Sequence, residues 1–167
     1  IDEMEKMLDG YLSYVSGEGG EKSTFVDVNE MILSIINKYR KNSNAMIRYS
    51  TNYDVSAIQG REQALRRAFT NVVENAFHYG KTIAVKLSSD DNHLEFEVDD
   101  DGPGIPADKR DDVFKAFYRV DGSRNKETGG VGLGLAIAKD VIVSHGGTIT
   151  LSDSDLGGLR VLISIPL

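Results

Sequence analysis

The chain has 167 residues, of which 27% are charged and 40% hydrophobic, and its formal net charge is −7. That length suits one domain with a buried core, and the acidic balance argues against a nucleic-acid or anionic-membrane binder. Cysteine is absent, so disulfides, thiolate metal sites and a cysteine nucleophile are excluded, and no apolar run approaches the ~18 residues of a membrane span.

In chain order, Ile1, Met4, Leu8, Tyr11 and Val15 follow a 3, 4, 3, 4 spacing, the seam of a coiled coil. Residues 1–16 are expected to be the end of a longer helix, with an amphipathic helix packed on its own domain as the alternative. Residues 17–23, rich in glycine, are expected to be a flexible linker. Six of the seven net negative charges fall in the first 30 residues.

A globular domain is expected over 24–167. Phe25 and Val26 suit a short strand. Asp27 and Glu30 read as a capping box for a helix that buries Val28, Met31, Ile32, Ile35, Ile36 and Tyr39 and runs to about Lys41. Met46–Ser50 and Ser56–Gln59 are strand candidates. Arg61–Tyr79 reads as a helix with Leu65, Phe69, Val72 and Ala76 buried. Thr82–Ser88 and His93–Asp99 alternate as strands around a turn at Ser89–Asn92, with Ile83, Val85, Leu87, Leu94, Phe96 and Val98 inward. Pro106–Phe114 and Val131–His145 are expected helices. A hairpin of Gly147–Ser152 and Leu159–Ile165 ends the chain. Hairpins with separate helices imply an α+β fold whose helices lie on one face of the sheet.

Two familiar signatures fail on context. Gly80-Lys81-Thr82 resembles the end of a P-loop, but Asn75 stands where a glycine is needed and a helix precedes it. Gly102-Pro-Gly104-Ile-Pro-Ala107 has the letters of a dinucleotide fingerprint, but it follows a hairpin, three aspartates precede it, and Pro103 and Pro106 supply no amide donors.

Three other segments carry chemistry. Asn71 and Asn75 share one helix face, flanked by Glu74 and His78. Their amide oxygens suit Mg²⁺, although a solvated helix face explains them equally well. In Asp99–Gly104 a carboxylate at a strand end can accept from an exocyclic amine, and the glycines would let a flat ring approach; an acidic turn or a cation site is the alternative. Residues 109–126 carry a net charge of +3 and lead into glycines 129, 130, 132 and 134. Glycines at a helix start expose amides to an anion.

In this order, TNVVENAFHYG, DDDGPGI, VFKAFYR, GVGLGLAIA and GGLRVLISIPL resemble the N, G1, F, G2 and G3 boxes of the ATP-binding catalytic domain of sensor histidine kinases. That domain belongs to the GHKL superfamily with gyrase, Hsp90 and MutL ATPases. The AFYR stretch and the Tyr11-Leu12 segment resemble the EnvZ-like osmosensor group in particular. The resemblance covers roughly 24–167 and implies a two-layer α/β sandwich of Bergerat type, with a mixed, mostly antiparallel sheet.

The resemblance also implies roles. Asn75 would ligate Mg²⁺, and Asn71 would support the metal and the phosphates. Asp101 would accept from the adenine amine, in a G1 turn of Gly102, Gly104 and Ile105, with Tyr79 against the ring. Gly130, Val131, Gly132, Leu133, Gly134 and Leu135 would cradle the phosphates of ATP beneath a lid over 115–130, with Arg119 and Lys115 as phosphate contacts. Asn71, Glu74 and Arg119 would be the catalytic set. His78 stands where the family usually has Lys or Arg, so nucleotide affinity is expected to weaken between about pH 6 and 8.

Gyrase-like members carry a glutamate where this chain has Asn71, and an amide cannot act as a general base. Slow hydrolysis and transfer to a better nucleophile are therefore expected, with Glu74 as the reservation. In the family that nucleophile is a histidine on a helical dimerisation domain, followed by an acidic residue. The resemblance implies that residues 1–16 are the C-terminal end of the dimerisation helix. His78, His93 and His145 are followed by Tyr79, Leu94 and Gly146. The chain is thus expected to be a catalytic domain without its acceptor, a homodimer in full length, serving a response regulator receiver domain from the cytoplasmic side of an inner-membrane-anchored bacterial sensor. A GHKL-type ATPase and a nucleotide-independent interaction module are the alternatives.

Overall fold

A computed structural model describes residues 5, 8, 12, 20–52, 57–118 and 133–167. Strand β1 (Thr24–Val26) leads into α1 (Val28–Asn42), followed by β2 (Met46–Thr51), β3 (Ile58–Gly60) and α2 (Glu62–Tyr79). Strands β4 (Thr82–Ser89) and β5 (His93–Asp100) form a hairpin, and α3 (Gly134–Ser144), β6 (Thr148–Asp153) and β7 (Leu159–Pro166) complete the fold. The main sheet has the order β2-β4-β5-β7-β6. Strand β2 runs parallel to β4, and the other pairings are antiparallel. Strands β1 and β3 make a separate antiparallel ribbon that the sequence pattern did not foresee.

The elements form for local reasons. Asp27 Oδ1 accepts from Glu30 N–H at 3.1 Å and starts α1. Asp90 Oδ1 accepts from the Asn92 and His93 amides at 2.8 and 2.7 Å and fixes the β4–β5 turn. Alternation along β5 sends Leu94, Phe96, Val98 and Asp100 inward. Helices α1, α2 and α3 bury their apolar faces, and α2 lies at the centre. Phe69 of α2 meets Phe96 of β5 edge-on at 4.9 Å. Tyr39 of α1 stacks on Phe77 of α2 at 4.7 Å. The opposite face of the sheet carries Lys86, Glu95, Glu97 and Arg160.

Three expectations are corrected. Pro106–Phe114 is not one helix but two 3₁₀ turns, Ala107–Lys109 and Asp112–Phe114; adjacent acids and Pro106 leave no continuous amphipathic face. The last helix starts at Gly134, with Leu133 as its N-cap and residues 131 and 132 outside the described residues. Glu21, expected in a flexible linker, is fastened to α2 by the two bonds given below. Of the seam, Leu8 is helical and exposed, and Ile1, Met4, Tyr11 and Val15 lie outside the described residues.

Candidate nucleotide site

Helix α2 is the axis of the site. Its N-cap, Arg61, makes no side-chain cap bond. The cap comes instead from Glu21, whose Oε2 accepts from Gln63 N–H at 2.7 Å and Oε1 from Ala64 N–H at 3.1 Å. A carboxylate at this end also meets the positive pole of the helix dipole. No local pattern could reveal this contact, because the partners are about 40 residues apart in sequence.

Ala64, Leu65, Ala68, Phe69, Val72, Val73 and Ala76 bury one side of α2 and leave Asn71 and Asn75 half-buried on the other. Asn71 Nδ2 donates to the Gly134 carbonyl at 3.2 Å, which joins the asparagine helix to the start of α3. Glu74 and His78 pair with each other at 3.7 Å. The His78 hydrogen bond holds the Glu74 carboxyl below its usual range, against a smaller opposing effect of burial. Burial, with Glu74 nearby, pushes the Tyr39 phenol up to about 12. Glu74 is thus within electrostatic reach of Tyr39 and Lys38 on α1.

The three aspartates at the end of β5 have three different partners. Asp99 faces outward and takes a bidentate bond from Arg160, Nε to Oδ1 at 2.8 Å and Nη2 to Oδ2 at 3.2 Å. Asp100 faces inward and is only 2% exposed. Its Oδ1 accepts from the Gly102 amide at 2.9 Å and the Leu159 amide at 3.2 Å. Burial raises its carboxyl above the usual range; the two amides oppose the rise, and Asp101 and Asp99 add to it. Asp101 is exposed, and its Oδ1 accepts from the Lys81 and Thr82 amides at 2.7 and 3.0 Å. The Thr82 and Lys81 amides hold that carboxyl below its usual range. The amides of the P-loop look-alike are thus occupied by a carboxylate.

The G1 glycines serve packing more than ring approach. A Cβ on Gly102 would meet the Tyr79 carbonyl oxygen at 2.5 Å, and one on Gly158 would collide with the Asp100 carboxylate. Gly104 has φ +71 and faces the Gly158 backbone. Tyr79 is 41% exposed beside this turn. Ile105 packs against the core, and its carbonyl accepts from Arg110 Nε at 3.1 Å.

The remaining candidates divide. Lys115 is exposed and paired with Asp112 at 2.7 Å. Leu133 and Leu135 are core residues, so any ligand would meet their backbone. Gly134 begins α3. Arg119, Gly130, Val131 and Gly132 lie outside the described residues, as does most of the expected lid. His145, at the C-terminus of α3, uses Nε2 to accept from Arg61 N–H at 3.1 Å and Nδ1 to donate to the Val141 carbonyl at 2.7 Å, an arrangement that requires the neutral ring. Sequence reading missed Asp100, although the inward parity of Leu94, Phe96 and Val98 continues to it.

Among the described residues, no three His, Cys, Asp or Glu side chains could together hold a metal ion. The oxygen donor that α2 offers is instead the half-buried amide of Asn75. One hard oxygen suits a cation that takes its other ligands from phosphates and water, which is the habit of Mg²⁺.

Known proteins resemble this chain in sequence and fold. The sensor histidine kinase CpxA of Escherichia coli K12 is 44% identical over 111 residues, covering 66% of this chain and 24% of CpxA. The sensor histidine kinase GtrS of Pseudomonas aeruginosa is 29% identical over 167 residues, covering 99% of this chain and 34% of GtrS. The chain therefore spans a quarter to a third of the length of these relatives. The mycobacterial sensor histidine kinase MprB superposes with a TM-score of 0.73 at 28% identity, over 87% of this chain and 97% of that one. Residues 60–167 match the family of histidine kinase-, DNA gyrase B-, and HSP90-like ATPases, and the chain belongs to that family.

Proposed function

We propose that this domain binds Mg-ATP and presents its γ-phosphoryl group to a histidine on a dimerisation domain of the same protein. The full-length kinase would be a homodimer that passes the phosphoryl group to a receiver domain. The domain would work on the cytoplasmic side of an inner-membrane-anchored sensor; no helix among the described residues is long and apolar enough to cross a membrane. The observation that carries the reading is convergence. Along α2, Asn71 touches Gly134 at the anion-binding end, and eight residues later Tyr79 packs on the turn that follows Asp100.

Within this reading Asp100, in preference to Asp101, accepts from the adenine amine. In its support, Asp100 is the inward, buried carboxylate, and both of its amide bonds fall on Oδ1, which leaves Oδ2 for a ligand. Asp101 is exposed and engaged with Lys81 and Thr82. Asn75 would hold Mg²⁺, which would neutralise phosphate charge when bound. Asn71 and the amides at Gly134 would orient the phosphates, with Arg119, Lys115, His78, Gly130 and Gly132 as further candidates. Phosphoryl transfer needs this positioning more than covalent help from the protein. Asn71 cannot deprotonate water, and Glu74 is paired with His78, so steady hydrolysis should be slow.

Titration calorimetry with an ATP analogue and Mg²⁺ tests the assignment. Asn75→Ala and Asp100→Asn should each abolish measurable binding, and Asp101→Asn should weaken it only a few-fold. Retained affinity in Asn75→Ala and Asp100→Asn would overturn the site.

A further inference from the structure

Arg160 lies on the far side of the sheet from the proposed nucleotide. Besides its bidentate bond to Asp99, its guanidinium reaches Asp155 at 3.2 Å and Glu97 at 3.5 Å. It is the cation that answers three carboxylates, and Asp99 among them is 7% exposed. In the β5–β7 register Asp99 sits directly opposite Arg160. One residue earlier, Leu159 donates its amide to Asp100, and one before that Gly158 donates to the Asp100 carbonyl at 3.0 Å. The start of β7 thus grips both faces of the β5 end, the outer face through a side chain and the inner face through backbone.

We infer that Arg160 is a positioning residue for nucleotide binding, which it serves by neutralising Asp99 so that Asp100, one residue on and facing inward, stays charged and aimed into the site. This rests on the adenine role proposed for Asp100. The physical reason is crowding. Three successive carboxylates stand at one strand end, and Asp99 and Asp101 both disfavour charge on Asp100. Tyr79 borders the turn that follows Asp100, and Asp155 of the β6–β7 turn is held by Arg160. Lys81 meets Asp101 only through its backbone amide. Arg160 is therefore the cation placed to offset this cluster. Without it, a charge on Asp99 would stand unpaired in a buried setting and repel Asp100, one residue on.

The test needs no nucleotide at first. Carboxyl-carbon NMR should follow the titration of Asp100 in the wild type, Arg160→Gln, Arg160→Lys and the double variant Asp99→Asn/Arg160→Gln. The midpoint should move up by about one pH unit in Arg160→Gln. It should stay near wild type in Arg160→Lys, and the double variant should restore it. A packing role alone would not be restored by removing the Asp99 charge. An unmoved midpoint in Arg160→Gln, or no restoration by Asp99→Asn, overturns the role. If Arg160→Gln does not fold, single Asp99→Asn gives the opposite sign, a lowered midpoint, and an unmoved one there overturns it too. Binding of a fluorescent adenine nucleotide should then weaken by up to about tenfold in Arg160→Gln at pH values below the shifted Asp100 midpoint, and recover as pH rises above it. Shifted midpoints with no nucleotide bound by any variant, wild type included, would refute the nucleotide reading, and with it the link from Arg160 to binding.

Discussion

Two adjacent carboxylates at the end of β5 pull on stability in opposite directions. Asp100 has its carboxyl raised by burial, so the fold favours its neutral form, and it costs stability at pH 7 that is regained as pH falls. Asp101 has its carboxyl lowered by two amides, so its contribution is present above the unfolded value of 3.8 and is lost as pH falls below it. Asp100→Asn should therefore raise the melting temperature at pH 7 while ending nucleotide binding. Asp101→Asn should lower the melting temperature at pH 7 and flatten its fall in acid. Thermal melts at pH 7 and pH 3 would check both signs, and a destabilised Asp100→Asn protein would contradict the first. A residue that burdens the fold in this way has its justification in function.

At the scale of elements, α2 is held at its N-terminus by a distant acid and at its C-terminus by a glycine turn. Glu21→Ala should cost about 1 kcal/mol, the usual worth of a helix cap, and speed amide exchange at Gln63 and Ala64 in particular. Exchange confined to residues elsewhere would contradict the cap. This contact also marks the limit of sequence reading. Apolar periodicity was enough to find α1, α2, β4, β5, β6 and β7, because each buries one face and the pattern repeats within a few residues. The asparagines and the glycine turns were legible through their types and spacing. Glu21, the Arg160–Asp99 pair and the β1–β3 ribbon were not, because each depends on residues brought together only by the finished fold. The choice between Asp100 and Asp101 is legible only in part: the parity that runs through Leu94, Phe96 and Val98 favours Asp100, whereas the family resemblance implies Asp101.

At the scale of the whole molecule, the family match begins at residue 60, yet the fold does not. Helix α1 buries Val28, Ile32 and Ile36, Tyr39 stacks on Phe77, and β2 pairs with β4 from Met46 and Thr82 through Thr51 and Leu87. A fragment of residues 60–167 should therefore lose the cover of α2 and expose Ile83 and Val85 at a bare sheet edge. We expect it to aggregate or to show a poorly dispersed amide spectrum, whereas residues 20–167 fold cooperatively. A well-folded short fragment would show that the β1-to-β2 segment is an accessory.

The bond from the Arg61 amide to His145 Nε2 carries one more consequence. Helices α2 and α3 run antiparallel, tied at one end by Asn71 and Gly134 and at the other by this imidazole. Most backbone protons near a helix start exchange with water as a matter of fraying, but this one is sheltered by a ring that shelters it only while unprotonated. A single resonance in a nitrogen–proton spectrum would then serve as a native gauge of whether the two helices are clasped, readable in solution without any added label.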